Sequence, residues 1–232
     1  MSVSLVGSSS FEATDLSSLA TALSPNGWDV TINEGGEVMA QPISSMSQYI
    51  LGGGVWLDYA GWPFYFYPGQ NSNSSGQAGA NGWFAFLASL GISGFPMANS
   101  GFDTASGNTN SQGFQRALHI TEPAASVAGL VASQSAPSWT NTVNGKTVYA
   151  YTLFALQAGK GWYFYGSHWY NTSHVALSIY ADFVNRVLAA HTAPTATPTG
   201  GTPARRGLSP MVVIIGGAAL VCGGLFAVDR LL

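Results

Sequence analysis

The chain alternates between short apolar runs and segments in which apolar residues recur every three or four positions. Apolar residues at 16, 19, 20 and 23 have helical spacing and predict a helix over 15–23. The continuous run VWLDY at 55–59 predicts a strand buried on both faces. The same reasoning predicts further strands at 2–7, 28–32, 148–156 and 161–165, and further helices at 43–51, 83–90 and 179–190. Strands alternating with helices indicate an α/β three-layer sandwich with a mostly parallel sheet, and a sandwich of antiparallel sheets is the competing fold.

The apolar pattern also divides the chain of 232 residues into three parts. Residues 1–193 carry the alternating pattern and predict one domain. Residues 194–210 are dominated by Pro, Thr and Gly and predict a flexible linker. Residues 211–228, from Met211 to Val228, form an uncharged apolar run that would span roughly 27 Å as a helix, about the thickness of a hydrocarbon core. We therefore predict one C-terminal transmembrane helix and a single-pass membrane protein.

The charges around this run predict its orientation. Arg205 and Arg206 precede the run and Arg230 follows it, so the positive-inside rule places the domain in the cytoplasm. The N-terminal sequence has no basic residue before its short apolar stretch, and we predict no secretory signal there. Small residues four apart within the run allow close helix approach and possible homo-oligomerisation, or are simply tolerated in a membrane helix. These residues are Ala219, Gly223 and Ala227.

Composition excludes several classes of function. Charged residues make up 7% of the chain and its net charge is −3, so it is not a basic nucleic-acid binder. The single cysteine, Cys222, lies inside the apolar run and excludes an intrachain disulfide and a cysteine-rich metal site. We predict no cofactor. An apolar fraction of 47% is enough for a sizeable core.

Two stretches of the domain resemble a known family. The sequence GGGVWLDYAGWPFYF at 52–66 resembles the Gly-rich segment and buried strand of class I glutamine amidotransferase-like domains, in particular their trehalose-utilisation-type branch. The sequence AGKGWYFYGSHW at 158–169, followed by IYADFVNRVL, resembles the end of that branch, with an aromatic strand, a His-bearing loop and a final helix. The resemblance implies a flavodoxin-like, amidotransferase-like sheet.

The chain departs from that family at the catalytic position. Amidotransferases place a nucleophilic cysteine on the turn after the third strand, and residues 57–61 read LDYAG. A Cys–His–Glu triad is therefore excluded. His168 stands where the resemblance places the family's histidine, so an acid–base pair with Asp58 is the remaining catalytic hypothesis. A metal site built from Asp58, His168 and His174 lacks a recognised ligand spacing, and we predict no metal.

Aromatic residues cluster after two of the predicted strands. In open α/β sheets ligands bind outside the carboxyl ends of the strands, and aromatic rings beside a few polar groups hold neutral ligands. If the strands at 55–59 and 161–165 are parallel neighbours, their following turns form one crevice; core packing is the alternative role for the rings. The predicted lining residues are Asp58, Tyr59, Trp62, His168 and Trp169.

The sequence is compatible with three functions. The missing nucleophile favours a membrane-tethered, non-catalytic amidotransferase-like domain that binds a small neutral ligand or a protein partner. The second hypothesis is a hydrolase-type enzyme that uses Asp58 and His168. The third is a structural membrane or envelope component that assembles through an uncharged aromatic surface, because a surface poor in charge resists association weakly.

Overall fold

A computed structural model gives the fold of the chain. It describes residues 3–6, 13–33, 43–59, 77–98, 117–136, 138–143, 145–166 and 175–194. The helices are α1 (Ala13–Ala22), α2 (Ile43–Leu51), α3 (Gln77–Ser89) and α4 (Leu177–Ala189), with a short 3₁₀ turn at Ala124–Ser126. The strands are β1 (Val3–Val6), β2 (Val30–Asn33), β3 (Val55–Tyr59), β4 (Leu118–Ile120), β5 (Leu130–Ala132), β6 (Ser138–Val143), β7 (Lys146–Tyr151), β8 (Leu153–Ala158) and β9 (Gly161–Gly166).

Six of these strands form the central sheet, in the order β1-β2-β3-β9-β8-β5. The pairs β1–β2, β2–β3 and β3–β9 are parallel, and β8 runs antiparallel to both β9 and β5. Five of the six strands therefore point the same way, which confirms the predicted α/β class and the mostly parallel sheet. The strands β2, β3 and β9 are buried along their whole length because helices cover the sheet on both faces.

The two helical layers pack on two separate apolar clusters. On one face, α1 and α4 lie together over side chains such as Val55, Leu57 and Phe164. On the other face, α2 and α3 lie together over side chains such as Trp56 and Tyr163. Residues 55, 56 and 57 divide between the clusters because successive side chains of a strand point to opposite faces.

The chain crosses between these faces in an unusual way. It moves from β1 to β2 to β3 in one direction across the sheet, but α1 and α2 lie on opposite faces. The two crossovers therefore have opposite hands, and one of them departs from the right-handed rule. At β3 and β9 the chain again continues to opposite faces, to α3 after β3 and to α4 after β9.

A second, antiparallel sheet of order β4-β7-β6 lies beside the central one, and its Tyr149 and Tyr151 pack against the cluster under α2 and α3. The prediction of a single strand over 148–156 is wrong. That run is divided at the buried Thr152, so that β7 belongs to the small sheet and β8 to the central sheet.

The remaining boundaries agree with the sequence pattern to within a few residues, except that α3 begins at Gln77 and not at Trp83. No helix in the described part of the chain is long and apolar enough to cross a membrane. The run predicted to do so, residues 211–228 with Ala219, Gly223 and Ala227, lies outside the described residues.

Candidate functional site

The strands β3 and β9 are parallel neighbours, which is the condition on which the predicted crevice depends. Their register pairs Asp58 with Tyr165 and Tyr59 with Gly166, so both strands end at the same level. Residues 59 and 166, the last described residues before 60–76 and 167–174, therefore lie next to each other. Because the chain continues from these two strands to opposite faces, this is a topological switch point of the kind at which α/β proteins bind ligands.

Asp58 lies at this edge of the sheet with its carboxylate turned towards the α2 and α3 face. Its Oδ1 accepts hydrogen bonds from Asn33 Nδ2 at 2.6 Å and from Trp56 Nε1 at 3.3 Å. Its Oδ2 accepts one from the Tyr163 hydroxyl at 2.8 Å. The side chain is 6% exposed. One carboxylate thus receives donors from three adjacent strands, and we call these four residues the Asp58 cluster.

Strand geometry brings the Asp58 cluster together. Asn33 is the last residue of β2 and is paired directly with Asp58 in the register. Trp56 lies two residues before Asp58, and alternation along a strand places both side chains on one face. Tyr163 is paired with Trp56, so it reaches Asp58 diagonally across the strand pair.

Burial controls the protonation of this cluster. Desolvation raises the pKa of Asp58 from 3.8 to about 6, and the hydrogen bonds from Asn33, Tyr163 and Trp56 oppose that rise. Desolvation, followed by the nearby charge of Asp58, raises the pKa of Tyr163 well above its usual value. Tyr163 therefore stays protonated and donates a hydrogen bond to the carboxylate.

Two further tyrosines connect the end of β3 to the beginning of α4. The Tyr59 hydroxyl donates to the carbonyl of Val175 at 2.6 Å, and the Tyr180 hydroxyl donates to the carbonyl of Asp58 at 3.2 Å. The two tyrosine rings pack with their centroids 4.8 Å apart. Burial, and then the charge of Asp58, raises the pKa of Tyr180. These contacts hold the carboxyl end of β3 and the start of α4 in a fixed relation.

The structure places two of the five residues predicted to line the crevice. Asp58 and Tyr59 are consecutive residues at the carboxyl edge, but their buried side chains point to opposite faces of the sheet, Asp58 towards α2 and α3 and Tyr59 into the cluster under α1 and α4. Trp62, His168 and Trp169 lie outside the described residues, as does His174. Sequence reasoning missed Asn33 and Tyr163 as partners of Asp58. The signal that could have found them is the alternation of β3 and β9, once the two strands are known to be neighbours.

A second buried ionisable group lies on the small sheet. His119 in β4 is 1% exposed, and neither of its ring nitrogens has a hydrogen-bond partner among the described residues. Its ring packs edge-on against Trp139 with centroids 5.9 Å apart. Desolvation lowers the pKa of His119 from 6.5 to about 4, so the ring is neutral near pH 7.

Chemically, the Asp58 cluster is an arrangement of satisfied hydrogen bonds. The two donors on Oδ1 occupy its two lone pairs, which leaves Oδ2 with one free acceptor direction. Among the described residues no group of three His, Cys, Asp or Glu side chains is placed to hold a metal ion. Comparisons with protein-family models, curated proteins and solved structures give no match for this chain.

Proposed function

We propose that this chain is a membrane-tethered, non-catalytic amidotransferase-like domain that binds a small neutral ligand at the carboxyl edge of β3 and β9. The observation that carries the proposal is the parallel pairing of these two strands at a switch point of the sheet. In the sequence, the aromatic segments 60–76 and 167–174 follow directly on these two strands. The tether is the apolar run 211–228, joined to the domain by the linker 194–210.

The chemistry around this edge favours a neutral ligand. Trp62 and Trp169 each follow their strand within three residues, and such rings bind uncharged molecules through apolar faces. The carboxylate of Asp58 is buried and already accepts hydrogen bonds from three neutral donors, so it does not present a charge that would attract a cationic ligand. Sugars and amides combine apolar faces with hydrogen-bonding groups and suit a site of this kind.

Two observations favour binding over catalysis. No cysteine follows β3, and Cys222 lies in the apolar run and not in the domain. The carboxylate of Asp58 is buried and hydrogen-bonded, whereas a general base needs access to the proton that it removes. The alternative of a hydrolase that uses Asp58 and His168 has one point in its favour, because a pKa of about 6 suits acid–base chemistry near neutral pH.

The experiment is a ligand screen followed by two tryptophan substitutions. The full chain in detergent is screened by thermal shift against sugars, amides, amino acids and nucleosides, and each hit is titrated by calorimetry. We expect a hit among the uncharged compounds, and we expect Trp62→Ala and Trp169→Ala each to weaken its affinity at least about tenfold, which is a loss of about 1.4 kcal/mol.

Phe84→Ala is the matched control, since Phe84 is an aromatic residue exposed on α3. It should leave the affinity unchanged. The proposal is wrong if no compound stabilises the protein, or if both tryptophan variants bind a hit as tightly as the wild type. Turnover of a hit that disappears in an Asp58→Asn variant would support the hydrolase instead.

A further inference from the structure

Tyr163 in β9 is a buried phenol whose hydrogen-bond acceptor is a base. Its hydroxyl donates to Oδ2 of Asp58 at 2.8 Å, and both side chains are buried. Three other buried tyrosines donate to backbone carbonyls, which do not bind a proton near neutral pH; these are Tyr49, Tyr59 and Tyr180. The bond of Tyr163 differs from these three bonds because its acceptor can take up the proton.

The nature of the acceptor decides how easily a buried phenol loses an electron. A phenol that has lost an electron is a strong acid, and it becomes neutral only if its proton leaves as well. The oxygen atoms of Tyr163 and Asp58 are 2.8 Å apart, within the range over which a proton passes directly between two groups. A phenol bonded to a carbonyl would instead be left with a positive charge in the interior, which is costly.

The buried charge of Asp58 favours the same proton transfer. A carboxylate that is shielded from water is less stable relative to its neutral acid, and this desolvation raises the pKa of Asp58 to about 6. When an electron leaves Tyr163 and its proton moves to Asp58, the pair changes from one negative charge to none. Burial therefore stabilises the products of oxidation relative to the starting state.

Other aromatic rings connect Tyr163 to the surface of the domain. Its ring packs against Trp83 in α3 with centroids 5.8 Å apart, and Trp83 packs against Phe95 with centroids 5.9 Å apart. Phe95 is partly exposed. Because electrons tunnel between rings in contact, an oxidant at the surface does not have to reach the phenol itself.

Trp56 is the second oxidisable ring that is bonded to Asp58. Its Nε1 donates to Oδ1 at 3.3 Å, which is a longer hydrogen bond than the one from Tyr163. An indole also gives up an electron together with its proton less readily than a phenol does. The unpaired electron should therefore reside on Tyr163 and not on Trp56.

We propose that Tyr163 is a redox-active tyrosine that gives one electron to a small oxygen-centred radical, with Asp58 as the acceptor of its proton. The O–H bond of Tyr163 breaks, an O–H bond forms at Oδ2 of Asp58, and the electron leaves by way of Trp83. The products are a neutral tyrosyl radical, a neutral carboxylic acid and the oxidant reduced by one electron. This activity goes beyond the proposed function and needs neither its ligand nor its tether.

The test uses the full chain in detergent and a water-soluble one-electron oxidant, tris(bipyridine)ruthenium(III), generated by a light flash with persulfate. Transient absorption gives the rate of radical formation, and electron paramagnetic resonance of frozen samples identifies the radical. We expect a tyrosyl signal in the wild type that is largely lost in Tyr163→Phe. Tyr180→Phe is the matched control, because Tyr180 is also buried but donates to a carbonyl, and it should keep the signal.

The pH profile tests Asp58 as the proton acceptor. The rate should rise about tenfold from pH 5 to pH 7, because the ionised fraction of a carboxyl with a pKa of about 6 increases by that factor. The described ionisable groups around Asp58 are Tyr163, Tyr180 from α4 and Tyr49 from α2, whose raised pKa values keep them protonated over this range. The sequences of α2 and α3 contain no charged residue. Asp58→Asn cannot take up the proton, so its rate should be low and independent of pH.

Three results would overturn the inference. The first is a tyrosyl signal as strong in Tyr163→Phe as in the wild type. The second is a wild-type rate that stays constant between pH 5 and pH 7, a measurement that requires no variant to fold. The third is a rate in Asp58→Asn equal to that of the wild type at pH 7, which would mean that the proton goes elsewhere. None of these results depends on whether a ligand binds at the carboxyl edge, so this inference and the proposed function fail separately.

Discussion

Asp58 and His119 are buried to a similar degree but are surrounded very differently. Asp58 is 6% exposed and its carboxylate receives three hydrogen bonds, whereas His119 is 1% exposed and its ring makes none with the residues that the structure describes. Burial favours the neutral form of each, so the pKa of Asp58 rises to about 6 and that of His119 falls to about 4. Burial alone therefore sets the direction of a pKa shift, and it does not tell whether the side chain stabilises the fold.

Whether a buried side chain stabilises the fold depends on its hydrogen-bond partners. Asp58 accepts from donors on β2, β3 and β9, and those donors are buried too, so each would lose its acceptor without it. His119 contributes a ring contact with Trp139 and two buried nitrogens that have no hydrogen-bond partner in the described part of the chain. A buried polar atom without a partner costs about 1–3 kcal/mol. We expect removal of the two side chains to act in opposite directions.

The largest expected effect comes from removing the acceptor at position 58. Asp58→Ala removes the acceptor shared by Asn33, Trp56 and Tyr163, whereas Asp58→Asn keeps one of its two oxygens. Both variants lack the buried charge, so their difference isolates the hydrogen bonds. We expect Asp58→Ala to have a free energy of unfolding about 3–6 kcal/mol below that of Asp58→Asn in urea titrations at pH 7. Equal stabilities would mean that the cluster contributes nothing as an acceptor site.

The next effect is a pH dependence of opposite sign for the two residues. The pKa of Asp58 is raised on folding, so its contribution to stability decreases as the pH rises from 3.8 to about 6. The pKa of His119 is lowered on folding, so its contribution increases as the pH rises from about 4 to 6.5. Each change amounts to about 3 kcal/mol, and in the wild type the two largely cancel.

Single variants should reveal these two contributions. Relative to the wild type, Asp58→Asn should gain about 3 kcal/mol between pH 4 and pH 7, and His119→Leu should lose a similar amount over the same range. Urea unfolding followed by tryptophan fluorescence at pH 4, 5, 6 and 7 measures both. Parallel curves for the wild type and both variants would show that neither group titrates with a shifted pKa in the folded protein.

The sequence predicts the ends of a helix or strand well where a local residue signal sets them, and poorly where tertiary packing sets them. The bounds of α2 and β3 follow directly from Gly52, Gly53 and Gly54, which separate a helical pattern from a strand pattern. The division at Thr152 has no such local signal, because the run around it is continuously apolar. Only the packing of β7 and β8 into different sheets reveals that break.

The candidate site shows the same limit. Asp58 stands out in the sequence as a charge within a buried strand, and the predicted crevice requires the parallel pairing of β3 with β9 that the structure has. Asn33 and Tyr163 could not be assigned to it, because their contact depends on the register of three strands far apart in the chain. No sequence pattern around His119 predicts its burial, because that burial depends on the packing of β4 within the small sheet.

The smallest expected effect is a change in the free energy of unfolding when the side chain of His119 is replaced. Replacing a buried side chain that has unpartnered polar atoms by an apolar one of similar size removes their desolvation cost. We expect His119→Leu to raise the free energy of unfolding by about 1–2 kcal/mol at pH 7.5, where the histidine is neutral. His119→Gln is the matched control: it is of similar size but still buries polar atoms, and it should give no gain. If His119→Leu instead lowers the stability as much as His119→Gln does, the nitrogens of His119 are satisfied in solution, and His119 belongs with Asp58 as a side chain that holds its sheet together.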